Sequence, residues 1–211
     1  MPRITRLSRR AALAAAIGTA ATLALPGPSL AQAPGAAQEI ANHFTRVRTM
    51  MGEFVQFGPS GEQTGGRFFI ERPGRVLFLY EEPSNIRVVA DGDNVVVNNK
   101  KLSTWDIYPL GKTPLNLILG DRIDLGGGRV VSVTEDDDLT TIVMQDKQVF
   151  GDSQITMMFD PQSYDLRQWT IRDAKGQDTT VMIYNVRKGV TFGPDTFEID
   201  YNRIRRERAS R

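Results

Sequence analysis

The 211-residue chain has no cysteine and a single histidine, His43. Without cysteine there can be no disulfide, no thioether-linked lipid on the chain itself and no cysteine nucleophile, so in an oxidising compartment the fold rests on its core and its backbone ladders. The two shortages together leave no ligand set for most zinc or copper sites. His43 stands beside Phe44 with no serine or aspartate at a triad spacing, and reads as a solvent-facing helix residue. Gly111-Lys112-Thr113 echoes the end of a phosphate loop, but the first glycine of that loop would fall on Asp106. Asp91-Gly92-Asp93-Asn94 lacks the distal glutamate of a calcium loop, and Gly126-Gly127-Gly128 leads into a β-rich run with no helix start behind it. The expectation is a non-enzyme with no metal and no cofactor.

Long apolar runs are missing too. The longest, Ala11 to about Leu25, is too short and small-residued for a membrane span. It follows Arg3, Arg6, Arg9 and Arg10 and precedes Pro26, Pro28 and Ala31-Gln32-Ala33, so residues 1–33 read as a secretory signal peptide cut after Ala33. Ser8-Arg9-Arg10 with Leu13 loosely resembles a twin-arginine signal, and an ordinary Sec signal is the other reading. The full chain carries 26 basic and 25 acidic residues; without the four signal arginines the balance is 22 to 25, or −3. Residues 203–211 hold five arginines against Glu207, which leaves residues 34–202 at −7. Such an acidic body argues against nucleic acid as a partner. Residues 34–202 suit one domain, expected to be a monomer, and 203–211 reads as a basic, disordered tail able to touch anionic lipid headgroups.

From Ala36, the residues Ile40, Phe44, Val47 and Met51 recur at four, three and four, which predicts an amphipathic helix ending near Gly52. Short β-rich runs separated by turn residues then predict strands near 53–58, 65–71, 75–81, 85–91, 94–99 and 102–108. A second set follows at 128–135, 139–147, 153–160, 165–173, 177–187 and 196–201. Asp91-Gly92 between valine-rich runs predicts a type I′ hairpin turn. One segment interrupts the sheet: Thr113 as N-cap, Pro114 at the first helical position and Gly120 past the end frame a two-turn helix with Leu115, Ile118 and Leu119 on one face.

The order Gly66, a strand, Arg72-Pro73, the aromatic-rich strand Arg75 to Tyr80, Pro83, and a strand closing in Asp91-Gly92 resembles the signature of the LolA family of lipoprotein carriers. The segment Thr113 to Leu119 matches a second family feature, and the helix ahead of the first strand a third. Residues 65–92 and 113–125 carry the resemblance most specifically. Two departures stand out: the family usually has tryptophan where Phe78 stands, and Trp-Tyr where this chain has Val96-Val97-Asn98. The resemblance implies a mainly β fold, an incomplete, strongly curved antiparallel barrel of about 11–12 strands with an N-terminal amphipathic helix and a short internal helix forming a lid. It also implies a periplasmic chaperone that shelters lipoprotein acyl chains, taking them from an ABC-type releasing complex in the inner membrane, with an outer-membrane acceptor as a further partner. A sensor of lipids or lipoproteins on the same fold, or a carrier of another lipid, is the alternative.

Period-two alternation decides which residues line such a cavity. Phe68 and Ile70 oppose Arg67 and Glu71, while Val76, Phe78 and Tyr80 oppose Arg75. If charged residues mark the outer face, Phe68, Ile70, Val76, Phe78 and Tyr80 point inward, with Phe44, Leu115, Ile118 and Leu119 as lid. The resemblance assigns Arg72 to the contacts that close the lid. The concave side is expected to be left unfilled by the chain's own side chains.

Overall fold

The computed structural model describes residues 35–126, 128–147 and 151–209. The signal-peptide reading of 1–33 lies outside them. Helix α1 (Gly35–Arg46) precedes β1 (Thr49–Phe57), β2 (Gln63–Glu71), β3 (Arg75–Tyr80), β4 (Ile86–Asp91), β5 (Asn94–Asn99) and β6 (Thr104–Pro109). A 3-10 turn (Leu110–Lys112) and α2 (Leu115–Leu119) lead to β7 (Val130–Glu135), β8 (Thr140–Gln145), β9 (Gln154–Phe159), β10 (Leu166–Arg172), β11 (Asp178–Lys188) and a C-terminal helix, α3 (Tyr201–Ala209). The strands form one antiparallel sheet in the order β6-β5-β4-β3-β2-β1-β11-β10-β9-β8-β7. Two meanders are thus sewn together along the β1–β11 seam. Their outer margins, β6 and β7, do not pair with each other among the described residues, so the sheet is open.

The sheet is rolled. Strands sit about 4.8 Å apart, so in a flat sheet β3 and β10, four ladders apart, would be separated by about 19 Å. The rings of Phe78 on β3 and Trp169 on β10 instead lie 6.2 Å apart, centroid to centroid. Two glycines let neighbouring backbones crowd where the sheet bends. At Gly52, beside a register shift in β1, a Cβ would sit 2.9 Å from the ring of Phe68 and 2.8 Å from the Tyr184 carbonyl oxygen. At Gly66 it would meet the Leu79 carbonyl oxygen at 2.0 Å, so no side chain fits there.

The two faces have different covers. Phe68, Ile70, Val76 and Phe78 on one half and Ile142, Met144, Ile155, Met157, Phe159 and Trp169 on the other share a single concave cluster with α1 and α2. On the convex side Leu77, Val89 and Val96 are buried by Phe197, Ile199 and Ile204 from the C-terminal segment. Charged residues therefore do mark the outer face, but that face has its own apolar patch and its own cover.

Four sequence expectations need correction. Helix α1 stops at Arg46, because Met50 and Met51 belong to β1; the four-three-four spacing continues across the boundary by coincidence. Residues 196–201 are not a strand: Phe197 and Ile199 alternate as in a strand, but they pack on the sheet rather than pair with it. At the β4–β5 turn only Gly92 has positive φ, whereas a type I′ turn needs two such residues. Thr113 does not cap α2; its hydroxyl donates back to the Leu110 carbonyl at 2.8 Å, and Pro114 occupies the N-cap.

The basic tail is also ordered through residue 209. Ile204 of α3 is buried, the Tyr201 hydroxyl donates to Asp91 at 2.7 Å, and the Trp105 indole donates to Glu207 at 2.5 Å. Replacing Ile204 with alanine is expected to destabilise the protein by about 2–5 kcal/mol, the range for a buried Ile-to-Ala change. Urea unfolding followed by tryptophan emission checks this, and an unmoved midpoint would mean that α3 is not fastened to the sheet.

Candidate functional site

The roof over the concave face is built by two short helices that cannot stand alone. Ala37, Ile40, Ala41 and Phe44 form the buried stripe of α1, and Ile118 and Leu119 that of α2. Phe44 meets Phe159 edge-on, with centroids 6.5 Å apart. A five-residue helix leaves most of its carbonyls without helical partners. At α2 those of Ile118 and Leu119 are taken from outside, by the Arg72 Nε at 2.9 Å and the Gly74 amide at 2.8 Å.

Arg72 is the junction of the roof. Its guanidinium also donates to the Val47 carbonyl, just past α1, at 2.5 Å, and lies 3.7 Å from the centroid of the Phe44 ring. Its own amide donates to the Arg48 carbonyl at 2.7 Å. One residue just past β2 thus holds the exit of α1 and the end of α2 together. Arg72 is only 3% exposed and makes no ion pair with a carboxylate among the described residues. Burial, with the neighbouring Arg48 charge, lowers its pKa from 12.5 to about 9.

A second fastening holds α1 at the rim. Asp165, one residue before β10, accepts from the Lys188 ammonium at 2.7 and 2.9 Å and lies 2.9 Å from the His43 Nε2. His43 is therefore not solvent-facing; it meets a carboxylate 122 residues away, a partner that no local spacing announces. Burial acts to raise the Asp165 pKa, but hydrogen bonds from Lys188 and His43, with the charges of both, outweigh it and the net shift is downward. A depressed folded-state value adds stability that is present above the unfolded carboxylate's pKa and disappears as pH falls through the folded one. Asp165→Asn is accordingly expected to lower Tm at neutral pH, with the gap to the unaltered chain closing below about pH 4. A gap that stayed constant down to acid pH would show that the clamp is not ionic.

All nine apolar residues read from the sequence as cavity or lid lie in the concave cluster. Phe44, Phe68, Ile70, Val76, Phe78, Ile118 and Leu119 are buried in it, and Tyr80 and Leu115 are partly buried against it. The Tyr80 hydroxyl donates to Gln56 at 2.6 Å, and burial raises its pKa to about 12. The sequence reading named nothing from β1 or the second meander, although Ile142-x-Met144 and Ile155-x-Met157-x-Phe159 alternate as plainly as the first.

The expectation of an unfilled concave side does not hold in this conformation. Phe54, Phe68 and Phe159 are fully buried there, with Phe54 edge-on to Phe78 and Tyr80 at 5.1 and 5.0 Å. Apolar side chains collapse on one another when nothing else covers them. A smaller pocket of about 150 Å³ opens beside α1, lined by His43, Phe44, Val47, Met50, Arg72 and Leu166 among others. That is below the roughly 300–1,000 Å³ of a typical small-molecule site.

The family model described as "Outer membrane lipoprotein carrier protein LolA" matches residues 45–200. An outer-membrane lipoprotein carrier protein of Halorhodospira halophila is 28% identical over 176 residues, covering 79% of this chain and 82% of the relative. One from Chromohalobacter salexigens is 27% identical over 198 residues, covering 87% and 92%. Among solved structures, a LolA superfamily protein of Nitrosomonas europaea aligns at 10% identity with a TM-score of 0.44, covering 78% of this chain and 98% of that one. With the family's model matched across nearly the whole open sheet, this chain belongs to the LolA family.

Proposed function

We propose that the protein is a periplasmic carrier of lipidated proteins, exported by its cleaved N-terminal signal, which holds cargo acyl chains against the concave face. The observation that carries this reading is an apolar concave face roofed by two short helices whose junction depends on one buried guanidinium, bonded to backbone carbonyls and paired with no carboxylate among the described residues. Each methylene left in water costs about 0.8 kcal/mol, so lipoprotein acyl chains need a dry surface to cross an aqueous gap. Here that surface is occupied by the chain's own residues, and the roof must move before hydrocarbon can replace them.

Cargo entry would draw α1 and α2 away and break the Arg72 bonds to Val47 and Ile118; departure of the cargo would restore them. Such a two-state roof lets the same surface accept and give up its load. Met144 and Met157 on the concave face are unbranched and repack readily around hydrocarbon of varying length. On this reading an ABC-type releasing complex in the inner membrane loads the protein and an outer-membrane acceptor receives from it. The protein is a chaperone rather than an enzyme.

The test is transfer. Inner-membrane vesicles holding a triacylated lipoprotein and its releasing complex are supplied with ATP and the purified mature chain. Lipoprotein should appear in the soluble fraction as a complex with this chain in equal amounts. Lipoprotein that stays with the vesicles while another family carrier releases it would defeat the proposal.

A further inference from the structure

We propose that α3 and the β5–β6 loop together form a docking face for an anionic lipid bilayer. The face is distinct from the acyl-chain surface, since α3 packs on the convex side of the sheet. Its helical part, α3, also lies beyond residues 45–200, the stretch matched by the family model.

Geometry places the two parts side by side. The Trp105 indole donates to Glu207 at 2.5 Å, and the Arg208 guanidinium donates to the Trp105 carbonyl at 2.6 Å. The C-terminal end of α3 therefore rests on the start of β6. Leu102 is three residues from Trp105, so their Cα atoms are at most about 11 Å apart. At 63% exposure Leu102 is the most exposed large apolar side chain among the described residues, and Lys100 and Lys101 precede it.

Charge supplies the second argument. Arg203 is paired with Glu207, but Arg205 bonds Asn202, Arg208 bonds a carbonyl, and neither these two nor Arg206 makes an ion pair among the described residues. Five cations on these two adjoining segments, Lys100, Lys101, Arg205, Arg206 and Arg208, with one exposed leucine suit a surface of lipid phosphates, the apolar side chain entering the interface. The domain body, at −7, would be repelled by the same surface. A molecule so divided approaches an anionic bilayer with α3 and Leu102 leading.

The test is co-sedimentation of the mature, cargo-free chain with vesicles of phosphatidylglycerol mixed with phosphatidylcholine, against vesicles of phosphatidylcholine alone. Binding should need the anionic lipid and fall as salt is raised. Arg205→Glu with Arg206→Glu should weaken it by on the order of thirtyfold or more, since each cation near such a surface contributes about a factor of five. Arg205→Lys with Arg206→Lys should keep it, and Leu102→Asn should weaken it without changing the salt dependence. Circular dichroism and Trp105 emission confirm that α3 stays folded in each variant. Equal binding to both vesicle types, or undiminished binding by the doubly reversed variant, would overturn the proposal. Binding only to vesicles that contain membrane protein would overturn it as well, by assigning the face to a protein partner. Arg72→Leu should leave the need for anionic lipid and the salt dependence unchanged, which separates this result from the fate of the carrier reading.

Discussion

Arg72→Leu is expected to take up acylated cargo as well as the unaltered chain and to surrender it at least about a hundredfold less readily. The substitution removes both donors that join the exit of α1 to the end of α2, at Val47 and Ile118. On the proposed two-state reading those bonds exist only with the roof down, so their loss weakens the closed state while the loaded state keeps its energy. At about 1.5 kcal/mol or more for each charge-assisted bond, two of them shift the balance toward the loaded state by about 3 kcal/mol or more, hence the factor of a hundred. Relief of the buried charge works the other way on overall stability, so the variant should not unfold. The measurement is transfer of labelled lipoprotein from carrier to acceptor, with uptake followed separately. Equal transfer by the two proteins would show that the junction does not govern release.

Phe54→Ala should have the largest effect on the fold and an opposite effect on ligand binding. Phe54 is fully buried between the rings of Phe78 and Tyr80, and truncating such a side chain costs about 3–5 kcal/mol. The void it leaves is lined by apolar groups and stays dry. Hydrocarbon entering it displaces no side chain. Room for two more methylenes, worth about 1.6 kcal/mol, already gives about tenfold tighter binding of a fluorescent fatty acid. A lower Tm with weaker or unchanged binding would place the acyl chains elsewhere than on this face.

Much of this architecture was legible in the sequence because alternation is local. Phe68, Ile70, Val76 and Phe78 declare a shared face without knowledge of any distant partner, and the positions of Pro114 and Gly120 announce a helix even though Thr113 turned out to serve the preceding turn. Arg72 was different. Its placement at the lid came from family resemblance, since an arginine before proline looks like any surface turn until the carbonyls of Val47 and Ile118 are seen around it. His43 and Asp165, separated by 122 residues, were invisible as a pair for the same reason. The C-terminal segment misled on both counts. Phe197 and Ile199 carry a strand's alternation in a stretch that forms no ladder, and α3 has so little apolar surface that its order depends on Ile204, Tyr201 and a hydrogen bond to Trp105, 102 residues earlier. Whether the concave side is filled depends on how side chains from both meanders meet, and no spacing in one chain records that.

The unjoined margins at β6 and β7 have a mechanical consequence. A cylinder stitched all the way round has a girth fixed by its number of strands, and swelling would require tearing a line of backbone bonds. This sheet is a hoop with a gap. Under the proposed function, small changes of twist spread over ten intact ladders would widen the gap for entering hydrocarbon and let it spring back afterwards.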